Sequence, residues 1–234
     1  MKPLHVILFF VVLLLSCNRP TLRMNDYAVH GIDVSHHQQH IDWDKIAAQN
    51  IHFAFAKATE GMTHIDTLFC HNWDEMNRVG ILRGAYHFYR PKFSSTLQAD
   101  NFADMVEMQY GDLPPVLDVE VTDGIVGADL INGIQNWLTL VEQKTTMTPI
   151  IYTNQNFYNE HLAGHFPRNL IWIARYNSLF NPHLVNDADW KFWQYGNRGQ
   201  LDGIEGNVDF NVFNGTLLEL EQLCYGERMV LSSL

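Results

Sequence analysis

Leu113-Pro-Pro-Val-Leu-Asp-Val-Glu120 is the stretch on which the fold turns. Pro114 and Pro115 lack backbone donors and fix φ, so they end whatever precedes them. The aliphatic run after them suits a buried strand. Residues i and i+2 of a strand share a face, so Asp118 and Glu120 leave it on one side, roughly 6–7 Å apart along the backbone. Like charges held together raise one pKa and leave the other ionised. That divergence suits acid-assisted glycoside cleavage. The plainer alternative is a strand end with two solvated acids, one of them capping the next helix.

Working outward, short apolar strands alternate with helical patterns. Upstream, the strands are Val29–Ser35, Ile51–Glu60 and Arg83–Arg90. Between them come a short helix at Trp43–Gln49 and a helix through Leu68, Phe69, Asn72, Trp73, Met76 and Val79, with Gly80 placed to end it. A third helix is expected over Thr96–Tyr110. Downstream, Leu130, Ile131, Ile134, Trp137, Leu138 and Val141 form one apolar helical stripe. Strands follow at Pro149–Asn154, where Asn154 can cap a short helix, and at Asn169–Tyr176, Trp190–Gly196 and Asn207–Phe213. A closing helix is expected over Leu217–Leu223. Eight strands in this alternation predict a parallel sheet closed into an α/β barrel of the TIM type, with thinned helices in its second half.

Active residues of such a barrel sit at the C-terminal ends of its strands. Strand one brings Asp33 there, strand four Asp118 and Glu120, and strand eight Asp209. Closure makes strands one and eight neighbours, so Asp33 and Asp209 meet. Aromatics join them: Tyr86, Phe88, Tyr152, Trp172, Tyr176, Trp193 and Tyr195. Aromatic faces with acids suit sugars, which offer C–H faces to stack on and hydroxyls to bond. Tyr152 and Tyr195, at strand ends, are assigned to the site; Trp172 and Phe88 serve equally well as barrel filling. His36, His37 and His40 read as a solvated loop rather than a metal cluster. His87 reads as a hydrogen-bonded barrel histidine. Lys57 and Glu60 are placed to pair with each other or with the acids.

Met1–Leu15 reads as an export signal: Lys2, then an apolar core of about twelve residues, short for a bilayer span. Leu14-Leu15-Ser16-Cys17 resembles a lipoprotein signal in which Cys17 is lipidated. Residues 1–16 are therefore the expected signal peptide, 17–26 a tether, and 27–234 a single domain. The expected location is the cell envelope, as a membrane-anchored lipoprotein, or secretion if the anchor is absent. Loss of residues 1–16, with their one lysine, takes the formal charge from −11 to −12. That charge speaks against nucleic acid or an anionic membrane as partner; membrane contact is expected through the lipid anchor alone. Cys70 and Cys224 are expected as two buried reduced thiols. No CxxC or HExxH is present, and neither metal nor organic cofactor is expected. The chain is expected to be monomeric.

Seven motifs then fall in one order: Gly31-Ile-Asp-Val-Ser35 with Gln38 and Ile41-Asp-Trp43; Phe55-Ala-Lys-Ala-Thr-Glu-Gly61; Gly84-Ala-Tyr-His-Phe88; Pro115-Val-Leu-Asp-Val-Glu120; Ile151-Tyr-Thr-Asn154; Trp193-Gln-Tyr195; and Gly203-Ile-Glu-Gly-Asn-Val-Asp-Phe-Asn211. In these the chain resembles glycoside hydrolase family 25, the Chalaropsis-type N-acetylmuramidases. The resemblance implies a modified β/α barrel of five β/α units plus three further strands. It implies cleavage of the β-1,4 bond from N-acetylmuramic acid to N-acetylglucosamine in peptidoglycan glycan strands, with retention. It implies Glu120 as general acid/base, Asp118 as its partner, and Asp33 and Asp209 as flanking acids. With them, Tyr86, Tyr152, Tyr176, Gln194 and Tyr195 are the candidate substrate-binding residues. Gln39 stands where the family often has glycine. Asp118 is expected either as a nucleophile or as the stabiliser of attack by the substrate's own acetamido group, the latter slightly favoured. A wall-binding lipoprotein without catalysis is the competing reading; it has no need of four clustered acids. A chitinase-like enzyme would be expected to show a longer acid-rich signature at strand four.

Overall fold

A computed structural model describes residues 27–176 and 180–226. The expected signal peptide, with Cys17 as its expected lipidation site, lies outside the described residues. Among the described residues no helix is long and apolar enough to cross a membrane.

The strands are β1 (Val29–Val34), β2 (Phe53–Glu60), β3 (His64–Ile65), β4 (Leu82–Phe88), β5 (Val116–Asp118), β6 (Ile150–Asn154), β7 (Ile171–Ala174), β8 (Phe192–Gly199) and β9 (Val208–Phe213). Eight of them close in the order β1-β2-β4-β5-β6-β7-β8-β9, because β1 pairs with both β2 and β9. The helices α1 (Trp43–Ala47), α2 (Phe69–Val79), α3 (Ser95–Met105), α4 (Gly127–Thr145) and α5 (Gln155–Phe157) follow β1, β2, β4, β5 and β6. The last three barrel strands carry no such helix between them, and α6 (Leu217–Glu221) follows β9. Five β/α units plus three strands is thus the observed architecture.

The expectation of an all-parallel barrel needs correction. β9 runs antiparallel to β8 and β1, because the irregular 200–207 segment returns the chain without a crossover helix. Asp209 therefore sits near the start of its strand and still reaches the rim with Asp33, its register partner. β3, a two-residue antiparallel partner of β2, was not foreseen. The third helix stops at Met105, short of Tyr110. Gly80 ends α2 in the left-handed conformation and Asn154 caps α5, both as expected.

Alternation sorts side chains into two layers. Inside the barrel, Phe53, Phe55, Trp172, Phe192 and Phe213 pack together. A Cβ on Gly31 or Gly84 would overlap the Phe53 or Phe55 ring, which is why those strand positions have no side chain. Outside, Ile32, Ala54, Leu117 and Trp193 meet the helices through residues such as Phe102 and Trp137. His87 belongs to this outer layer. It hydrogen-bonds Thr59 Oγ1 (2.7 Å) and Gln98 Oε1 (3.2 Å) and stacks on Trp137. Cys224 is buried but Cys70 is exposed on α2, and no disulfide joins them; Cys70 falls on the solvent side of the stripe set by Phe69, Trp73 and Met76.

Candidate active site

β5 is only three residues long. Pro114 and Pro115 cannot donate to a ladder, and Val119 N still bonds Tyr152 O just past its end (2.9 Å). Asp118 points inward with Val116, whereas Leu117 and Val119 face the outer layer. Glu120 lies just beyond the strand and is half-buried, and with Val119 turned outward between them the two acids share the inward face, as the i, i+2 spacing predicts. Across that face the two carboxyls hydrogen-bond each other.

Both open into a cavity of about 230 Å³ at the C-terminal rim of the parallel strands. Its wall holds Asp33, Asp209, Tyr86, Tyr152, Tyr176 and Gln194 as well. Trp193 and Tyr195 are the exceptions among the residues read from sequence, and Tyr195 shows why. It follows Gln194 on β8 and so faces the other way, packed against Trp193 and Phe210 in the outer layer. Trp172 and Phe88 also reach the cavity.

The acids form two hydrogen-bonded pairs. Gln194 Nε2 and Asn211 Nδ2 both donate to Asp33 Oδ2, each at 2.7 Å. The amides are oriented in turn: Tyr152 and Tyr176 hydroxyls donate to Gln194 Oε1 (2.7 and 2.6 Å), and Trp172 Nε1 donates to Asn211 Oδ1 (2.9 Å). Burial pushes Asp33 up to about 6, the two amide donors working against it. Burial, and then the Asp33 charge, push Asp209 up to about 8. Asp33 is thus the ionised member and Asp209 the protonated one near neutrality. In the other pair, burial raises both carboxyls; the Glu120 charge raises Asp118 further, and Lys57 pulls both down. One proton is therefore held between Asp118 and Glu120. Burial raises the phenols of Tyr86 and Tyr152 as well, so they stay neutral donors.

Ser35, His37 and Lys57 complete the lining and were not read as site residues. Ser35-His-His-Gln38 is a capping box: Ser35 N donates to Gln38 Oε1 (2.9 Å), and Ser35 Oγ accepts from His37 N (3.3 Å). His36 Nδ1 sits 2.6 Å from Asp66 Oδ2, which pins the turn and leaves His37 on the cavity. The S-x-x-Q spacing was a usable signal. So was Asn211, two residues after Asp209 on one strand face. Lys57 bonds Glu60 at 2.6 Å, one of the two pairings expected for it. Among the described residues no His, Cys, Asp or Glu group of three is arranged to hold a metal ion.

Such a pocket, with a shared proton on one carboxyl pair and aromatic walls, is suited to acid-assisted cleavage of a sugar acetal. The family model of glycosyl hydrolases family 25 matches residues 32–204. A protein of Escherichia coli named YegX, of uncharacterised role, is 44% identical over 201 residues, 83% of this chain and 73% of its own length. Lysozyme M1 of Streptomyces globisporus is 35% identical over 205 residues, 82% of this chain and 70% of its own. Among solved structures, the bacterial lysozyme of Streptomyces coelicolor superposes with a TM-score of 0.82 at 32% identity, covering 87% of this chain and all (100%) of that one.

Proposed function

The chain belongs to glycosyl hydrolases family 25 and is a glycoside hydrolase, and from that membership we propose that it is a muramidase of peptidoglycan, cutting from N-acetylmuramic acid to N-acetylglucosamine with retention. The observation that carries the reading is the Asp118–Glu120 hydrogen bond at the mouth of the aromatic pocket. Glu120 delivers the shared proton to the departing oxygen of N-acetylglucosamine, which leaves Asp118 ionised. A nucleophile and acid that both engage the sugar stand about 5–5.5 Å apart. Two carboxyls in hydrogen-bond contact are closer, which favours attack by the substrate. The carbonyl oxygen of the 2-acetamido group bonds to the anomeric carbon as the glycosidic bond breaks. Asp118, ionised by that transfer, accepts the acetamido N–H and steadies the resulting oxazolinium. Water then opens that ring, giving its proton to Glu120, and the β configuration is restored. Asp33, Gln194 and the tyrosines hold the sugar ring and its hydroxyls. The test is digestion of purified peptidoglycan, followed by reduction and mass spectrometry. Reduced muramic acid ends from the wild type and none from Glu120→Gln are expected. Reduced glucosamine ends would move the cleaved bond, and wall binding without products would sink the hydrolase mechanism.

A further inference from the structure

The turn Ser35-His-His-Gln38 leaves β1 at the catalytic mouth, and the cleavage steps leave it unused. Its histidines, with His40 just beyond, sort by partner. His36 is committed to Asp66, whose side chain is fully buried and whose Oδ2 also accepts from His36 N (3.0 Å). His40 packs edge-on against His71 of α2, with 5.4 Å between ring centroids. His37 alone of the three lines the catalytic cavity. Its side chain is exposed, and neither ring nitrogen has a hydrogen-bond partner among the described residues.

The backbone beneath that ring is fixed at three points. His37 N donates to Ser35 Oγ (3.3 Å), Ser35 N to Gln38 Oε1 (2.9 Å), and Gln38 Nε2 to the Asn207 carbonyl (3.1 Å), in the segment that leads into β9. The His36 ring, itself pinned by Asp66, backs the His37 ring with 4.0 Å between centroids and 42° between planes. An imidazole is thus held at the rim with the rest of its surface uncovered. In the closed strand order β1 lies opposite β6, so His37 and Tyr152 border the cavity from opposite sides of the barrel. A pyranose entering the cavity offers a C–H face to such a ring, and a ring ordered beforehand loses little freedom on binding.

We propose that His37 is a sugar platform of the catalytic cavity, its ring stacking on the C–H face of a pyranose of the bound glycan. The inference rests on the muramidase reading for its substrate and adds a residue that sets affinity for that substrate. A contact made equally in the ground state and the transition state changes KM and leaves kcat. The test is reducing-end release from soluble, uncrosslinked peptidoglycan strands, with kcat and KM obtained separately. His37→Ala is expected to raise KM about three- to tenfold, with kcat within about twofold of wild type. His37→Trp, which keeps an aromatic face, is expected to hold KM at or below the wild-type value. His37→Asn, which keeps a hydrogen-bonding group and loses the ring, is expected to behave as His37→Ala. A wild-type KM in His37→Ala, or a KM restored by Asn and not by Trp, overturns the platform and leaves the muramidase standing. If the wild type cuts nothing, the muramidase reading falls, and titration of the same strands into wild type and His37→Ala decides the platform by itself: weaker binding by His37→Ala upholds it, and equal affinities or no binding overturn it.

Discussion

Two sets of buried acids sit at opposite ends of the same strands. At the N-terminal end, Asp112 takes Arg83 Nε at 2.6 Å and Gln109 N at 2.7 Å, while Arg83 also bonds Trp73 O (2.9 Å) and covers the Trp73 ring. Burial raises Asp112 too, but the guanidinium and the backbone donor work against it. At the C-terminal end, Asp33, Asp209, Asp118 and Glu120 share protons with one another, with Lys57 as the nearby cation. The first arrangement is neutralised and serves stability. The second leaves protons in the range where they can be moved, at a cost to the fold.

The sharpest way to break this contrast is to remove one member at each end. Glu120→Gln is expected to lower turnover by about 10²- to 10⁴-fold while leaving the denaturation midpoint equal or higher. A midpoint well below wild type would make Glu120 structural. Arg83→Met should do the reverse, costing about 3–5 kcal/mol of stability because Asp112 is left buried and unpaired. Urea titration with activity per folded molecule separates the two, and unchanged stability would end the claim that the ends differ.

pH sharpens the comparison next. His87 is held down to about 4 by burial, below its ordinary 6.5, so the unfolded chain binds its proton first. Stability from this group is present above pH 6.5 and is lost as pH falls toward 4, by up to about 3 kcal/mol. The rim acids have the opposite sign. With Asp33 near 6 and Asp209 near 8, their native forms hold protons that the unfolded chain has released, so stability declines from about pH 4 to 8. Asp209→Asn should flatten that alkaline slope and expose the acid limb. An unchanged slope in denaturation measured across pH would detach Asp209 from it. The smallest effect concerns Gln39, at φ 54 and ψ −145, a conformation suited to glycine. Gln39→Gly should add about 1 kcal/mol, the relief of strain exceeding the entropic loss; a lower midpoint would mean the side chain holds the turn.

The barrel was legible because its strands are short apolar runs bounded by glycine and proline, with helical stripes between the first five. The direction of β9 was not, since a period of two is the same up or down a strand. Tyr195 was misplaced for a related reason: proximity to a strand end is visible in sequence, but the face is fixed only once Gln194 is known to point inward. Cys70 was expected to be buried because it lies among apolar helical positions, and a helix turns each residue by about 100°, so that a neighbour of Phe69 is outside.

By itself the sequence determined the alternation of elements, the family motifs and the identity of the four acids, since these rest on local residue order. Tertiary structure decided which acids share a proton, because that depends on burial at the rim and on antiparallel closure by β9. It also decided how Asp33 stays the ionised member, through Gln194 and Asn211, which come from two other strands and meet Asp33 only when the barrel closes.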